Sequence, residues 1–204
     1  MDNPEGQLQL RGAQATGSDA RALAWGLQEA SENLFSTLFG RKAETILAAA
    51  ALIPGQGMSL EHTSFAELDA TIVGVLHGMS ADQSVVPDEV WNHAAGWRMM
   101  RAGLVTLLGR QLFSTLDRHE PGEWYLQAIA VSPRARGHGV GTRMFERAIA
   151  QARESGSERL TLDVDVKNVR AQRLYERLGL KADYSTKPAR LLDGAAVSRM
   201  SMPI

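Results

Sequence analysis

The chain has 204 residues, 44% of them hydrophobic and 22% charged, enough for one domain with a substantial core and ordinary for a soluble globular protein. Its net charge of −1 argues against the broad basic surface on which general nucleic-acid binding relies. The absence of cysteine excludes a disulfide, a thiol nucleophile and a thiolate metal site. The first residues, Met1-Asp2-Asn3-Pro4-Glu5, are acidic and polar, unlike a secretory signal. The longest fully apolar run, Ile46 to Ile53, is far shorter than the ~20 residues of a membrane span. The expectation is a cytoplasmic protein with no membrane and no nucleic-acid partner.

Residues 7–13, with Leu8 and Leu10, read as a first strand. Ser18 or Asp19 can cap a helix running to about Ser31, with Leu23, Leu27 and Ala30 on one face. Leu34, Phe35, Leu38 and Phe39 mark a second helical stretch, and Lys42 to Ile53 a third that Pro54-Gly55 stops. Phe35 and Phe39 stand at i, i+4, as a core stripe or as the wall of an acceptor site. Met58 to Leu68 and Thr71 to Gly78 form a hairpin turned at Asp69-Ala70, whose second arm is apolar enough to be covered on both faces. Gly74 interrupts that arm and leaves room for another backbone. Pro87 to Ala95 and Trp97 to Leu116 read as two helices separated by Gly96. Trp97, Met100, Leu104, Leu107 and Leu108 follow helical spacing, and such a stripe is expected in the core. Residues 81–122 are long for a strand-to-strand connection, which makes them a candidate acceptor-site insert.

An apolar run from Tyr125 then ends at Val131, and Pro133 has no N–H to continue a ladder. Arg134 and Arg136 precede three alternate glycines, Gly137, Gly139 and Gly141, and a helix is expected from Thr142 to Ser155. The order strand, glycine-rich turn, helix makes an anion site, because the first N–H groups of a helix lack partners and carry partial positive charge. The alternative is a tight connection whose glycines only permit packing. Among phosphate loops, Gly-x-Gly-x-x-Gly fails at Thr142 or Met144, and the triphosphate loop fails for want of a lysine. Downstream, Ser155-Gly156 closes the helix, and Leu160, Leu162, Val164 and Val166 alternate with Thr161, Asp163, Asp165 and Lys167 as a strand with one buried and one polar face. Asn168 begins a helix to Leu178, with Gly179 at its end. Two final strands, joined around Asp193-Gly194, complete a mixed sheet flanked by helices.

The pattern Arg136-x-x-Gly139-x-Gly141 resembles the acyl-coenzyme A pyrophosphate loop of the GCN5-related N-acetyltransferases (GNAT superfamily). The stretch Leu162-x-Val164-x-x-x-Asn168-x-x-Ala171-x-x-x-Tyr175-x-x-x-Gly179-Leu180 is similar to the second conserved block of that superfamily, in the right order and at the right separation. The resemblance implies a single α/β (mixed α+β) domain over residues 1–204, with a central, mostly antiparallel mixed sheet of about seven strands. It implies acetyl-coenzyme A as co-substrate, held in a V-shaped gap where the central strand leaves its neighbour, and no metal. Backbone groups of Ile129, Ala130 and Val131 would meet the pantetheine arm. The N–H groups of Arg136, Gly137, His138, Gly139, Val140, Gly141 and Thr142 would hold the pyrophosphate. Asn168 matches a cofactor-contacting asparagine and is equally a good N-cap. Arg134, Arg170 and Arg173 each read first as solvated surface arginines, with contact to the cofactor's 3′-phosphate as the alternative.

The same resemblance implies direct attack of a primary amine on the thioester, with Tyr175 protonating the departing thiolate. Many relatives carry a glutamate base on the central strand, where this chain has Tyr125 and Gln127; Glu123 is the nearest carboxylate along the strand. Glu61, His62, His77 and Asp183 are further candidates, and water-mediated deprotonation needs no dedicated base. The acceptor is a small-molecule amine or a peptide or protein amine. A hydroxyl acceptor, a longer acyl group and a non-catalytic acyl-coenzyme A sensor are the alternatives, and a homodimer through exposed tail strands stays open.

Overall fold

A computed structural model describes residues 8–31, 34–189 and 194–204. Seven strands, β1 (Gln9–Gly12), β2 (Thr63–Leu68), β3 (Thr71–Ser80), β4 (Glu123–Val131), β5 (Arg159–Asp165), β6 (Lys181–Ser185) and β7 (Val197–Pro203), form one sheet in the order β1-β2-β3-β4-β5-β7-β6. Only β4 and β5 run parallel; every other neighbouring pair is antiparallel. The expected mixed, mostly antiparallel sheet is therefore present. The helices are α1 (Gly17–Ala30), α2 (Leu34–Phe39), α3 (Ala43–Ala51), α4 (Asp88–Ala95), α5 (Met99–Leu108), α6 (Arg110–Leu116), α7 (Val140–Glu154) and α8 (Val169–Arg177). The acidic first residues, Gln7 and Asp193 of the sequence reading lie outside the described residues.

The β2–β3 hairpin turns at Asp69 and Ala70 as expected, both with positive φ (49° and 58°), the geometry of a two-residue turn matched to strand twist. Its first arm starts later than expected, at Thr63, because Leu60–His62 closes a 3-10 turn capped by Ser59. The cap of α1 is Thr16, whose hydroxyl accepts from the Asp19 N–H, and neither Ser18 nor Asp19. Asp19 is occupied instead by a bidentate pair with Arg11 at 2.7 and 3.0 Å and by the Gln14 N–H. Ala20, Leu23, Ala24 and Leu27 form the buried face of α1, whereas Ala30 is exposed.

The sheet separates two cores. On one side, α7 and α8 cover Leu76, Trp124, Leu126, Leu160, Leu162 and Met200. On the other, α1, α3 and α4 cover Phe65, Val75 and Ala128. Gly74 does leave room, but for a side chain rather than a backbone: an added Cβ would lie 2.5 Å from Met144 Sδ of α7.

The insert of residues 81–122 carries α4, α5 and α6, packed on α2 and α3 through Leu38, Phe39, Ile46, Ala102, Val105 and Phe113. Phe39 stacks on Trp91 with ring centroids 5.4 Å apart, and Phe35 is half-buried, so the aromatic pair is core. The helix expected over Trp97–Leu116 is broken at Gly109 into α5 and α6. Its stripe is not in the core: Trp97 is 75% exposed, Met100 81% and Leu107 70%. The converse holds for β5, which ends at Asp165 and whose polar face is covered. Thr161 is fully buried, and Asp163 forms a bidentate pair with Arg199 of β7 at 3.0 and 2.6 Å. Arg199 also donates to the carbonyls of Thr115 and Arg118, tying the end of the insert to the sheet.

His77, a base candidate in the sequence, is a structural group. Its ring is fully buried, with Nε2 2.9 Å from the Gly57 carbonyl and Nδ1 2.8 Å from Thr63 Oγ1. A carbonyl only accepts, so Nε2 carries the proton and Nδ1 accepts from the threonine hydroxyl. Burial pushes its pKa down from 6.5 to about 4. The folded chain thus keeps this ring neutral while the unfolded chain gains a proton below ~6.5. Stability from this group is complete above that pH and falls as pH drops towards 4, by about 2 kcal/mol at pH 5. Urea midpoints at pH 7 and pH 5, compared with those of a non-titrating His77→Gln chain, measure this. A histidine-containing chain with no extra loss at pH 5 contradicts it.

Candidate active site

The site is built where β4 leaves β5. The two strands pair only from Glu123 to Leu126 against Arg159 to Leu162, so Gln127 to Val131 have no partner on that side and a gap opens. A bulge marks the same place: Leu126 lies opposite Gly78 and Ala128 opposite His77, which leaves Gln127 as the extra residue. The bulge moves the strand's faces over by one. Trp124 and Leu126 pack towards α7 before it, and Ile129 and Val131 after it, while Ala128 turns towards α1.

Register then decides which backbone groups meet the gap. The Ser132 N–H bonds Val73 O at 2.8 Å, so Val131 opposite Gly74 is a non-hydrogen-bonded pair, and so is Ile129 opposite Leu76. The peptide groups of Ile129 and Val131 therefore point away from β3 into the gap. Those of Ala130 point back into the β3–β4 ladder. Of Ile129, Ala130 and Val131, the first and last turn their backbone groups away from β3 and Ala130 does not, and the Val131 carbonyl accepts from Arg136 Nε.

Beyond Val131, Pro133–Ala135 makes one 3-10 turn and the chain enters α7 through Gly137 (φ 83°) and Gly139 (φ 75°). Glycine is needed at both because L-residues are strained at such φ, and a Cβ at either would project into open space. The helix begins at Val140, two residues earlier than expected. Its first backbone bond from this end is Arg143 N–H to Gly139 O at 3.0 Å. No side chain caps α7, and its first turn carries no acid. The N–H groups of Val140, Gly141 and Thr142 are thus left for an external anion, with the helix dipole behind them. His138 folds its Nδ1 onto the Arg136 carbonyl at 3.0 Å. The Arg136 side chain is employed within the protein: Nε donates to Val131 O at 3.0 Å and Nη2 pairs with Glu29 of α1 at 2.6 Å. It holds the loop against the strand end and α1.

Tyr175 stands on α8 in the cluster that covers the α7 face of β4 and β5, its ring 6.4 Å from that of Phe145. Burial pushes its phenol above the ordinary value, so it keeps its proton at neutral pH. Asn168 caps α8, with Oδ1 accepting from the Ala171 N–H at 3.0 Å. Glu123 is not brought to the gap. It lies buried where β4 and β5 are still paired, and its carboxylate accepts from the Glu120 N–H at 3.1 Å. Glu61 clasps the Gly55 N–H at 2.8 Å, and Asp183 binds Arg159 and Ser201.

Sequence reasoning missed the polar cluster on the opposite face. Tyr125 of β4 reaches Asp163 of β5 at 3.3 Å, Arg199 braces that carboxylate, and the His119 ring lies 4.3 Å from the Tyr125 ring. Burial, aided by Asp163, raises the Tyr125 phenol far above its usual range, and burial lowers His119 to about 4. The strict alternation in β5 was the available signal, but it reads equally as a solvent face. No group of three or more metal-ligating side chains occurs among the described residues.

The model of the Acetyltransferase (GNAT) family matches residues 29–180, well over half of the chain. Among curated proteins, the chain is 38% identical over 53 residues to a Bacillus subtilis (strain 168) protein assigned as a [ribosomal protein bS18]-alanine N-acetyltransferase, covering 26% of this chain and 35% of that one. It is 36% identical over 63 residues to an N-alpha-acetyltransferase of Arabidopsis thaliana, covering 31% and 33%. The matched stretch thus spans about a third of these relatives' length. Among solved structures, an N-acetyltransferase from Staphylococcus aureus Mu50 superposes with a TM-score of 0.66 at 13% identity, covering 95% of this chain and 100% of that one. The Escherichia coli ribosomal-protein-S18-alanine N-acetyltransferase gives 0.58 at 19%, covering 97% and 94%. At such identities these structures speak for the fold alone. With the family model spanning the splayed strands, the glycine loop and α8, this chain belongs to the GNAT acetyltransferase family.

Proposed function

We propose that the protein transfers an acetyl group from acetyl-coenzyme A to a primary amine by direct attack in a ternary complex. The observation that carries this reading is the end of β4–β5 pairing at Leu126, which leaves the Ile129 peptide groups and the Val131 N–H facing a gap that continues into the Gly137–Gly141 loop. The residues fit the group: the loop glycines leave open space where a Cβ would stand, and uncapped N–H groups meet phosphate without a competing acid. Acetyl-coenzyme A supplies the activated acetyl thioester. Gly137 to Thr142 hold its pyrophosphate, Ile129 and Val131 align its pantetheine arm, and Tyr175 delivers a proton to the leaving sulfur. The chain has no cysteine to form an acyl-thiol intermediate, which supports direct transfer. Relatives named as acting on alanine or N-terminal amines support an amine acceptor.

A second reading, an acyl-coenzyme A sensor, is favoured by one observation: Asp163, the carboxylate opposite Tyr125, is already committed to Arg199. Calorimetric titration with acetyl-coenzyme A comes first. Gly139→Glu is expected to weaken binding about tenfold or more, since like-charge repulsion of ~1.4 kcal/mol gives that factor. Equal affinity in both chains would remove the loop from the site. Binding without coenzyme A release across a broad amine panel would select the sensor.

A further inference from the structure

Five of the eleven exposed large apolar side chains among the described residues fall within Trp97–Leu108. The face of α5 formed by Ala102 and Val105 is buried against α2, α3 and α6. Trp97, in the 3-10 turn Gly96–Arg98 that leads into α5, and Met100, Leu104 and Leu107 of α5 recur at spacings of three, four and three away from that face, a row about 15 Å long. An apolar row of this size on a folded surface marks a contact face. Its charges are one-sided: between Gly96 and Leu116 the ionised side chains are Arg98, Arg101 and Arg110, with no acid, in a chain whose net charge is −1. The Arg98 guanidinium lies 4.8 Å over the Trp97 ring, and Arg101 is held at the edge of the row by Thr37 O at 3.1 Å.

We propose that this face docks on an anionic lipid bilayer, with α5 lying flat at headgroup level. The apolar row would enter the acyl boundary, Trp97 would sit at the interface, and the arginines would meet lipid phosphates. Charge complementarity selects this occupant. A second copy would bring the same arginines against each other, and a purely zwitterionic surface would leave them without counter-charge. The attachment is peripheral, since no described helix is long and apolar enough to cross a membrane.

The test is sedimentation of the full chain with phosphatidylcholine vesicles, with and without phosphatidylglycerol, together with tryptophan emission. Trp124 is buried and Trp25 and Trp91 are half-buried, so a blue shift on binding reports Trp97. Roughly tenfold or more binding to the anionic vesicles is expected, declining with salt. Leu107→Glu, at an exposed position outside the proposed cofactor site, should abolish it with an unchanged circular dichroism spectrum. Trp97→Phe should remove the shift. Three results overturn the proposal: no preference for anionic vesicles, pelleting without a Trp97 shift, or a concentration-dependent dimer that Leu107→Glu disperses. The last would assign the face to a second copy. None of these readouts depends on acetyl transfer.

Discussion

Arg199→Ala is expected to lower unfolding free energy by about 3–5 kcal/mol, seen as a large drop in denaturant midpoint. The side chains of Arg199 and Asp163 are 3% and 2% exposed, so removing the guanidinium leaves a carboxylate with neither water nor a counter-charge. The loss extends further, because the Thr115 and Arg118 carbonyls lose the donor that pins the insert to β7. Burial already pushes the Asp163 carboxyl up against the opposing pull of Arg199, so the variant carboxyl would hold a proton at higher pH. A matched Arg199→Met, Asp163→Leu chain separates the pair's net worth from the cost of breaking it. Replacing both charges should recover most of the loss, since well-packed apolar residues often substitute for a buried ion pair. A single-variant loss below about 1 kcal/mol would mean that water screens the pair and that the insert is not held through it.

Tyr175→Phe is expected to reduce turnover at saturating substrates by about 100-fold or more, the scale of a positioned general acid, with acetyl-coenzyme A affinity almost unchanged. The separation is expected because the ring packs in the α7–α8 core, which phenylalanine preserves, while the proposed phosphate cradle consists of backbone groups elsewhere. Burial alone raises this phenol, so it is protonated at neutral pH, as the proposed acid role requires. Full turnover in the variant, with binding intact, would assign the proton to water and leave Tyr175 as packing.

Much of this site was legible locally. Pro133, the alternate glycines and the helix after them act through φ, a missing N–H and helix-end charge, which are properties of neighbours in sequence. The Asp69-Ala70 turn, the Asn168 cap and the closure at Ser155-Gly156 could be read for the same reason. The helix start at Val140 could not, because Gly139 serves as a left-handed N-cap without a capping side chain. Nor could the choice of Thr16 over Asp19, since what withdraws Asp19 is Arg11 on a neighbouring strand.

By itself, then, the sequence determined the order of elements, the glycine-rich turn between β4 and α7 and the family, because each rests on short-range chemistry written into consecutive residues. Only the tertiary structure decided what covers what. The spacing of Trp97, Met100, Leu104 and Leu107 is that of a buried face, yet α5 spends its burial on Ala102 and Val105 and turns the larger side chains outward. Thr161 and Asp163 alternate like a solvent face, yet both side chains are buried, and Arg199 of β7, bound also to carbonyls at the end of the insert, compensates the buried charge. The gap itself is of the same kind. Nothing in Gln127 to Val131 states that β5 stops pairing at Leu162; that follows from a bulge at Gln127 and from the path of a strand some thirty residues away. Periodicity reports that a face differs from its opposite, and packing alone assigns which of the two meets water.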